Sequence, residues 1–199
     1  MKTRPSGWVA LLCPVVFLCL CLSCQKSVNK GLTATSDSTA IFSATIAGTN
    51  WNADSVAAVL LGSDDHPGGK TMTISGFSAD TQIVVLLHDT SVTTATDSSI
   101  GVHQYVVGYP WPGAEFSFLA DKIKIHDDSV WQHQGIAESG SATVTASSAT
   151  TKKVSGTFSF TAAVITVDTT AGLGGFKVDT VNISNGKFTN IPYTWVHRH

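Results

Sequence analysis

The chain has 199 residues, with 12 basic and 14 acidic side chains and a formal net charge of −2. This length fits one domain able to bury about 68–70% of its surface, so no disulfide or metal is needed to hold it. Charge this close to balance, without a basic patch, excludes nucleic acid as a partner.

Met1 to Gly7 carries Lys2 and Arg4 and no acid, and Trp8 to Leu22 is an apolar run of 15 residues. A positive head, a short apolar middle and a small-residue exit predict a secretory signal peptide over residues 1–23. The run falls short of the roughly 20 apolar residues a spanning helix needs, and Pro14 weakens its helix further. All four cysteines lie here, at Cys13, Cys19, Cys21 and Cys24. Leu22-Ser23-Cys24 resembles a bacterial lipobox, whose cysteine becomes the new N-terminus and carries diacylglycerol on its thiol. Cys24 is therefore the expected lipidation site, and the expected partner is membrane lipid, reached through the acylated N-terminus. Two or more acyl chains make such anchoring stable. Loss of Lys2 and Arg4 would leave 10 basic and 14 acidic residues, a net charge of −4.

Residues 24–39, beginning with the lipidated cysteine, read as a flexible tether. They lack apolar periodicity and are rich in Ser, Thr and Lys. The domain is expected over 40–199, and its signals are those of strands. Val154-Ser155-Gly156-Thr157-Phe158-Ser159-Phe160-Thr161-Ala162 alternates with period 2, which predicts a half-buried antiparallel strand. Phe42–Ile46, Thr71–Ile74, Lys122–Ile125 and Ala142–Ala146 alternate as well. Ile83-Val84-Val85-Leu86-Leu87 is continuously apolar and predicts a central strand buried on both faces. Asn185-Gly186 predicts a two-residue hairpin turn between Val181–Ile183 and Phe188–Ile191. Nine to eleven short strands without a helix predict an all-β fold: an antiparallel two-sheet sandwich first, a lipocalin-like closed barrel second.

The order of motifs adds a resemblance. A lipobox is followed by Phe42-Ser43-Ala44-Thr45-Ile46-Ala47-Gly48-Thr49-Asn50-Trp51. Then come Thr73-Ile74-Ser75-Gly76, the Val154–Ala162 strand, and Ile183-Ser184-Asn185-Gly186-Lys187-Phe188-Thr189-Asn190-Ile191-Pro192-Tyr193. This order resembles an uncharacterised lipoprotein family of Bacteroidota, defined as a domain of unknown function. The resemblance implies a cell-envelope lipoprotein and brings no known active site. The stretch after Cys24 lacks the acidic run typical of surface-exported lipoproteins in that phylum. The expected location is thus the outer membrane, facing the periplasm.

No sequence pattern carries chemistry. There is no nucleophile elbow, zinc-binding H-E-x-x-H pair or P-loop. Gly172-Leu173-Gly174-Gly175 reads as a connection, not a nucleotide site. In the cluster His126-Asp127-Asp128 with His133, His126 falls in register with Lys122 and Lys124 and is expected to face solvent, and Asp127 and Asp128 read as turn residues. Asp64-Asp65-His66 reads as a polar turn, and no metal and no cofactor is expected. Tyr105, Tyr109, Trp111 and Trp131 are expected in or near loops. Tyr109-Pro110-Trp111-Pro112-Gly113 is a stiff turn that could hold an indole outward for stacking on a sugar or apolar ligand. Alternatively, Trp111 covers the end of the fold while Trp51 and Trp131 fill its core. The expected function is that of a non-enzymatic binding or structural module with an envelope protein or glycan as partner; the runner-up is a carbohydrate- or small-ligand-binding module using Tyr109 and Trp111.

Overall fold

The computed structural model describes residues 40–63, 69–90, 97–108, 113–125, 128–168 and 175–198. Among them are eleven strands and no helix. The strands are β1 (Ile41–Ile46), β2 (Thr49–Asn52), β3 (Ser55–Ser63), β4 (Lys70–Phe77), β5 (Thr81–Asp89), β6 (Gln104–Val106), β7 (Gly113–Ile125), β8 (Asp128–Ser148), β9 (Lys153–Asp168), β10 (Gly175–Pro192) and β11 (Thr194–Arg198).

The all-β expectation holds, but two packed sheets do not form. All eleven strands belong to one sheet in the order β11-β3-β4-β5-β7-β8-β9-β10-β1-β2, with β6 paired to β8. Nor is the sheet purely antiparallel, because β11 runs parallel to β3. Chain connectivity forces it to curl. In a flat sheet β2 and β3 would lie eight strand spacings apart, about 38 Å. Only Ala53 and Asp54 join them, a link that spans at most about 11 Å. The N–H of Ala53 donates to Phe42 O at 2.9 Å and that of Asp54 to Phe77 O at 2.8 Å, drawing the two margins together. The result is a strongly curled half-barrel, not a barrel closed by a ladder.

Bulges supply local bending, since an extra residue on one strand increases twist and tilts the ladder. Register shifts occur in β8 between Ala137 and Ser139 and between Val144 and Ala146. In β10 they occur between Ile183 and Gly186 and between Phe188 and Ile191. The first β10 shift corrects the expected hairpin. Asn185 does take a positive φ, 52°, but the chain continues in one strand and the Asn-Gly pair makes a bulge. A two-residue hairpin does occur at Ala47-Gly48, with φ of 47° and 86°, the pattern of a type I′ turn between β1 and β2.

The inner face carries the core. Val154, Phe158, Phe160 and Ala162 are buried as their alternation predicts, with Phe42, Phe116, Phe118 and Phe188 beside them. Phe116 and Phe160 stack at 4.8 Å, and Phe42 and Phe158 meet at 5.2 Å. The expectation of a strand buried on both faces is corrected at β5: Ile83, Val85 and Leu87 are fully buried, but Val84 and Leu86 are only half-buried on the outer face. Tyr105 is also corrected, from a loop to the core, where it is fully buried on β6. Trp51 packs half-buried against the core, and Trp131 is half-buried on β8.

Candidate functional site

The outer apolar side chains of β5 mark a groove of about 600 Å³. A change of partner along β8 opens it. Up to Ile136, β8 pairs with β7, where Ile136 faces Ser117. From Ser141 it pairs instead with β6. Between these segments β8 bulges, and Val107 bridges to Ala114 while donating its N–H to Gly140 O at 3.0 Å. The start of β7 is thus parted from β8, and the gap is lined by Val84, Leu86, Val107, Phe116, Ile136 and Ala137. Ile136 is 74% exposed at its edge.

One end of the groove is polar. His88 Nε2 lies 3.2 Å from Glu115 Oε1, and His88 Nδ1 lies 3.3 Å from Thr71 Oγ1. The register explains the meeting: Thr71 faces His88 across β4–β5, and Glu115 faces Leu86 across β5–β7, so their side chains share the outer face. An apolar trough with a few polar groups at one end suits a small amphipathic ligand. A shallower hollow on β8, β9 and β10 is lined by Ser141, Thr143, Thr157, Ser159 and Asn185, and offers hydroxyls and an amide beside apolar surface.

A second cluster lies on the core side of the β4–β5 end. Lys70 is 1% exposed and faces Asp89, also fully buried, across the ladder. Asp89 Oδ2 accepts from Gly101 N at 2.5 Å and lies 3.2 Å from the Tyr105 hydroxyl, which also contacts Gly101 O at 2.8 Å. His103 stacks on Tyr105 at 4.2 Å, with Nε2 4.0 Å from Asp89 Oδ1. Lys70 Nζ donates to the backbone oxygens of Asp97 and Ser99 and lies 3.8 Å from Asp97 Oδ2. Burial lowers the Lys70 pKa from its ordinary value, opposed by the charges of Asp97 and Asp89. Burial, then the Asp89 charge and hydrogen bond, push the Tyr105 phenol far above its ordinary range. Burial also raises Tyr193, whose hydroxyl lies 2.6 Å from Ser98 O and 3.0 Å from Ser148 O.

Cys24, Tyr109 and Trp111 fall outside the described residues, as do His126, Asp127 and the Asp64–His66 turn. Gly108 and Gly113, which flank the Tyr109–Pro112 stretch, line the groove. His133 faces Thr166 and Asp121, at 2.8 and 3.0 Å. Sequence reasoning missed His88, Glu115 and the Lys70 cluster, because each joins residues far apart in the chain with no shared spacing. A signal for the groove did exist: the unbroken apolar run of β5 put Val84 and Leu86 on its outer face.

No curated protein and no solved structure matches the chain. Residues 38–192 match the family described as a domain of unknown function, DUF6252, and the chain therefore belongs to that family.

Proposed function

We propose that the protein is a lipid-anchored lipoprotein of the bacterial cell envelope whose β-domain is a non-enzymatic binding module. Its anchor is Cys24, on the outer membrane and facing the periplasm. The observation that carries the binding role is the outer groove, with Val84, Leu86 and Ile136 unburied around a volume suited to a small ligand. Its ligand has an apolar body and a polar end, met by His88 and Glu115.

Two measurements test this reading. In cells fed labelled palmitate, the native chain takes up label and sediments with membranes, whereas Cys24→Ser does neither; an unlabelled, soluble native chain would refute the anchor. In titrations with a fluorescent acyl-chain probe, the native chain shows saturable binding, and Leu86→Glu weakens it about tenfold or more, because a carboxylate in the trough loses hydration without gaining a partner. Equal affinity in both proteins would refute the groove.

A second reading is glycan binding through Tyr109 and Trp111. It is supported by Gly108 and Gly113, the described residues on either side of that stretch, which line the groove. Glycan-array binding that disappears in Trp111→Ala supports it, and absence of binding to any glycan removes it.

A further inference from the structure

The Lys70 cluster holds the parts of a covalent reaction. A primary amine is buried beside a carboxyl group, with a second carboxyl group on the adjacent strand. Lys70 and Asp89 are fully buried and directly opposed. Lys70 Nζ lies 3.8 Å from Oδ2 of Asp97, whose side chain is 35% exposed. The two oxygens of Asp97 are differently placed. Oδ1 accepts from Ser99 N at 3.1 Å and Ser99 Oγ at 2.8 Å, as a carbonyl oxygen does when donors stabilise charge developing on it. Oδ2 faces the amine. The Trp195 ring, 5.7 Å from Nζ, adds apolar cover.

We propose that Lys70 and Asp97 condense into an intramolecular isopeptide bond, with Asp89 as the proton relay. A proton passes from the Lys70 ammonium to the Asp97 carboxylate, and the neutral amine then attacks Cγ of Asp97. A C–N bond forms, and charge collects on Oδ1 against the two Ser99 donors. Asp89 takes a proton from the attacking nitrogen and returns it to Oδ2. The Cγ–Oδ2 bond breaks and one water leaves. Ammonium plus carboxylate gives amide plus water, so atoms and charge balance and no oxidant or reductant is needed. Burial favours the reactive neutral amine, in line with the lowered Lys70 pKa.

The link would close a loop between positions 27 residues apart, fastening the start of β4 to the segment that leads into β6. After Cys24 the chain contains no cysteine, so a covalent staple in this domain cannot be a disulfide.

Trypsin reads the bond directly. Between Lys30 and Lys122 the only cleavable residue is Lys70. An unlinked chain therefore yields peptides 31–70 and 71–122. A linked chain, protected at Lys70, yields a single 31–122 peptide about 18 Da lighter than its sequence mass, one water having left. The purified full-length protein, denatured and digested, is expected to give the lighter single peptide, and Lys70→Arg and Asp97→Ala are each expected to abolish it. Recovery of separate 31–70 and 71–122 peptides from the native chain overturns the proposal and leaves an ordinary buried ion pair. Loss of water that persists in Lys70→Arg overturns it as well. Full linkage in Asp89→Asn overturns the relay role. The native digest decides the question even if a variant fails to fold.

Discussion

Phe42 on β1 lies directly over Gly76 on β4: a Cβ added to Gly76 would sit 2.4 Å from Phe42 Cδ1. These strands are six places apart in the sheet order, about 29 Å if the sheet were flat. The contact therefore exists only because the sheet curls. Phe42 is buried and wedged edge-on to Trp51 and against Phe158, so its ring has no free direction in which to retreat. Gly76→Ala is expected to destabilise the domain by about 1–3 kcal/mol, the range for overpacking a filled core. Urea denaturation checks this, and an unchanged midpoint would show that the curl does not depend on this contact.

The bulge at Asn185 gives a second prediction. Its φ of 52° is one that Asn tolerates and β-branched residues do not. Asn185→Val is expected to cost about 1–2 kcal/mol, and Asn185→Gly much less. Thermal melts of the two variants compare the effects. Equal losses would mean that the Asn185 side-chain contact with Thr45, at 3.4 Å, matters more than the backbone.

The same residue shows how far the sequence could be read. Period-2 alternation located the inner face of β9 residue by residue, because alternation is a local property of one strand. Asn185-Gly186 located a positive φ but not its use, since hairpin and bulge ask the same of the backbone. Choosing between them needs the partner strands, and β1 pairs with β10 across more than 130 positions of sequence, as Phe42 with Phe188. The curl was hidden for a related reason: it follows from strand order plus the two-residue β2–β3 link. Among site residues, Val84 and Leu86 were visible as apolar excess, whereas Lys70, Asp89 and Asp97 show no pattern until the fold gathers them.

Tyr105 gives stability a definite pH dependence. Its phenol is held protonated in the folded protein beyond the ordinary value of 10.0, whereas an unfolded chain ionises there. The stabilisation is complete below about pH 10 and is lost as pH rises above it, at up to about 1.4 kcal/mol per pH unit. Tyr193 acts in the same direction. Lys70, shifted down from 10.5, acts oppositely while it carries a free amine: its contribution rises with pH up to that value. Tyr105→Phe removes one donor to buried Asp89 and is expected to cost about 1–3 kcal/mol at neutral pH while flattening the alkaline decline. Urea midpoints from pH 7 to about 11 test both effects, and an unaltered alkaline slope would exclude Tyr105 as its source.

Trp51 fastens the margin of the sheet. It lies on edge strand β2, yet its indole N–H donates to Ser78 Oγ at 3.1 Å in the β4–β5 turn. Its ring also meets Phe42 edge-on at 6.0 Å. The hydrogen bond and the ring packing separate by substitution. Trp51→Phe keeps an aromatic face on Phe42 but loses the donor, and is expected to cost about 0.5–1.5 kcal/mol. Ser78→Ala removes the same bond from the other side, together with the one that Ser78 Oγ donates to Thr81 O at 3.3 Å, so the double variant should cost less than the sum of the two single changes. Trp51→Ala loses the packing too and is expected to exceed both. Because β2 pairs only with β1, its release should be local: amide exchange quickens in Thr49–Asn52 before it does in β9. Uniform acceleration across the domain would instead make the Trp51–Ser78 bond part of what holds the whole sheet curled.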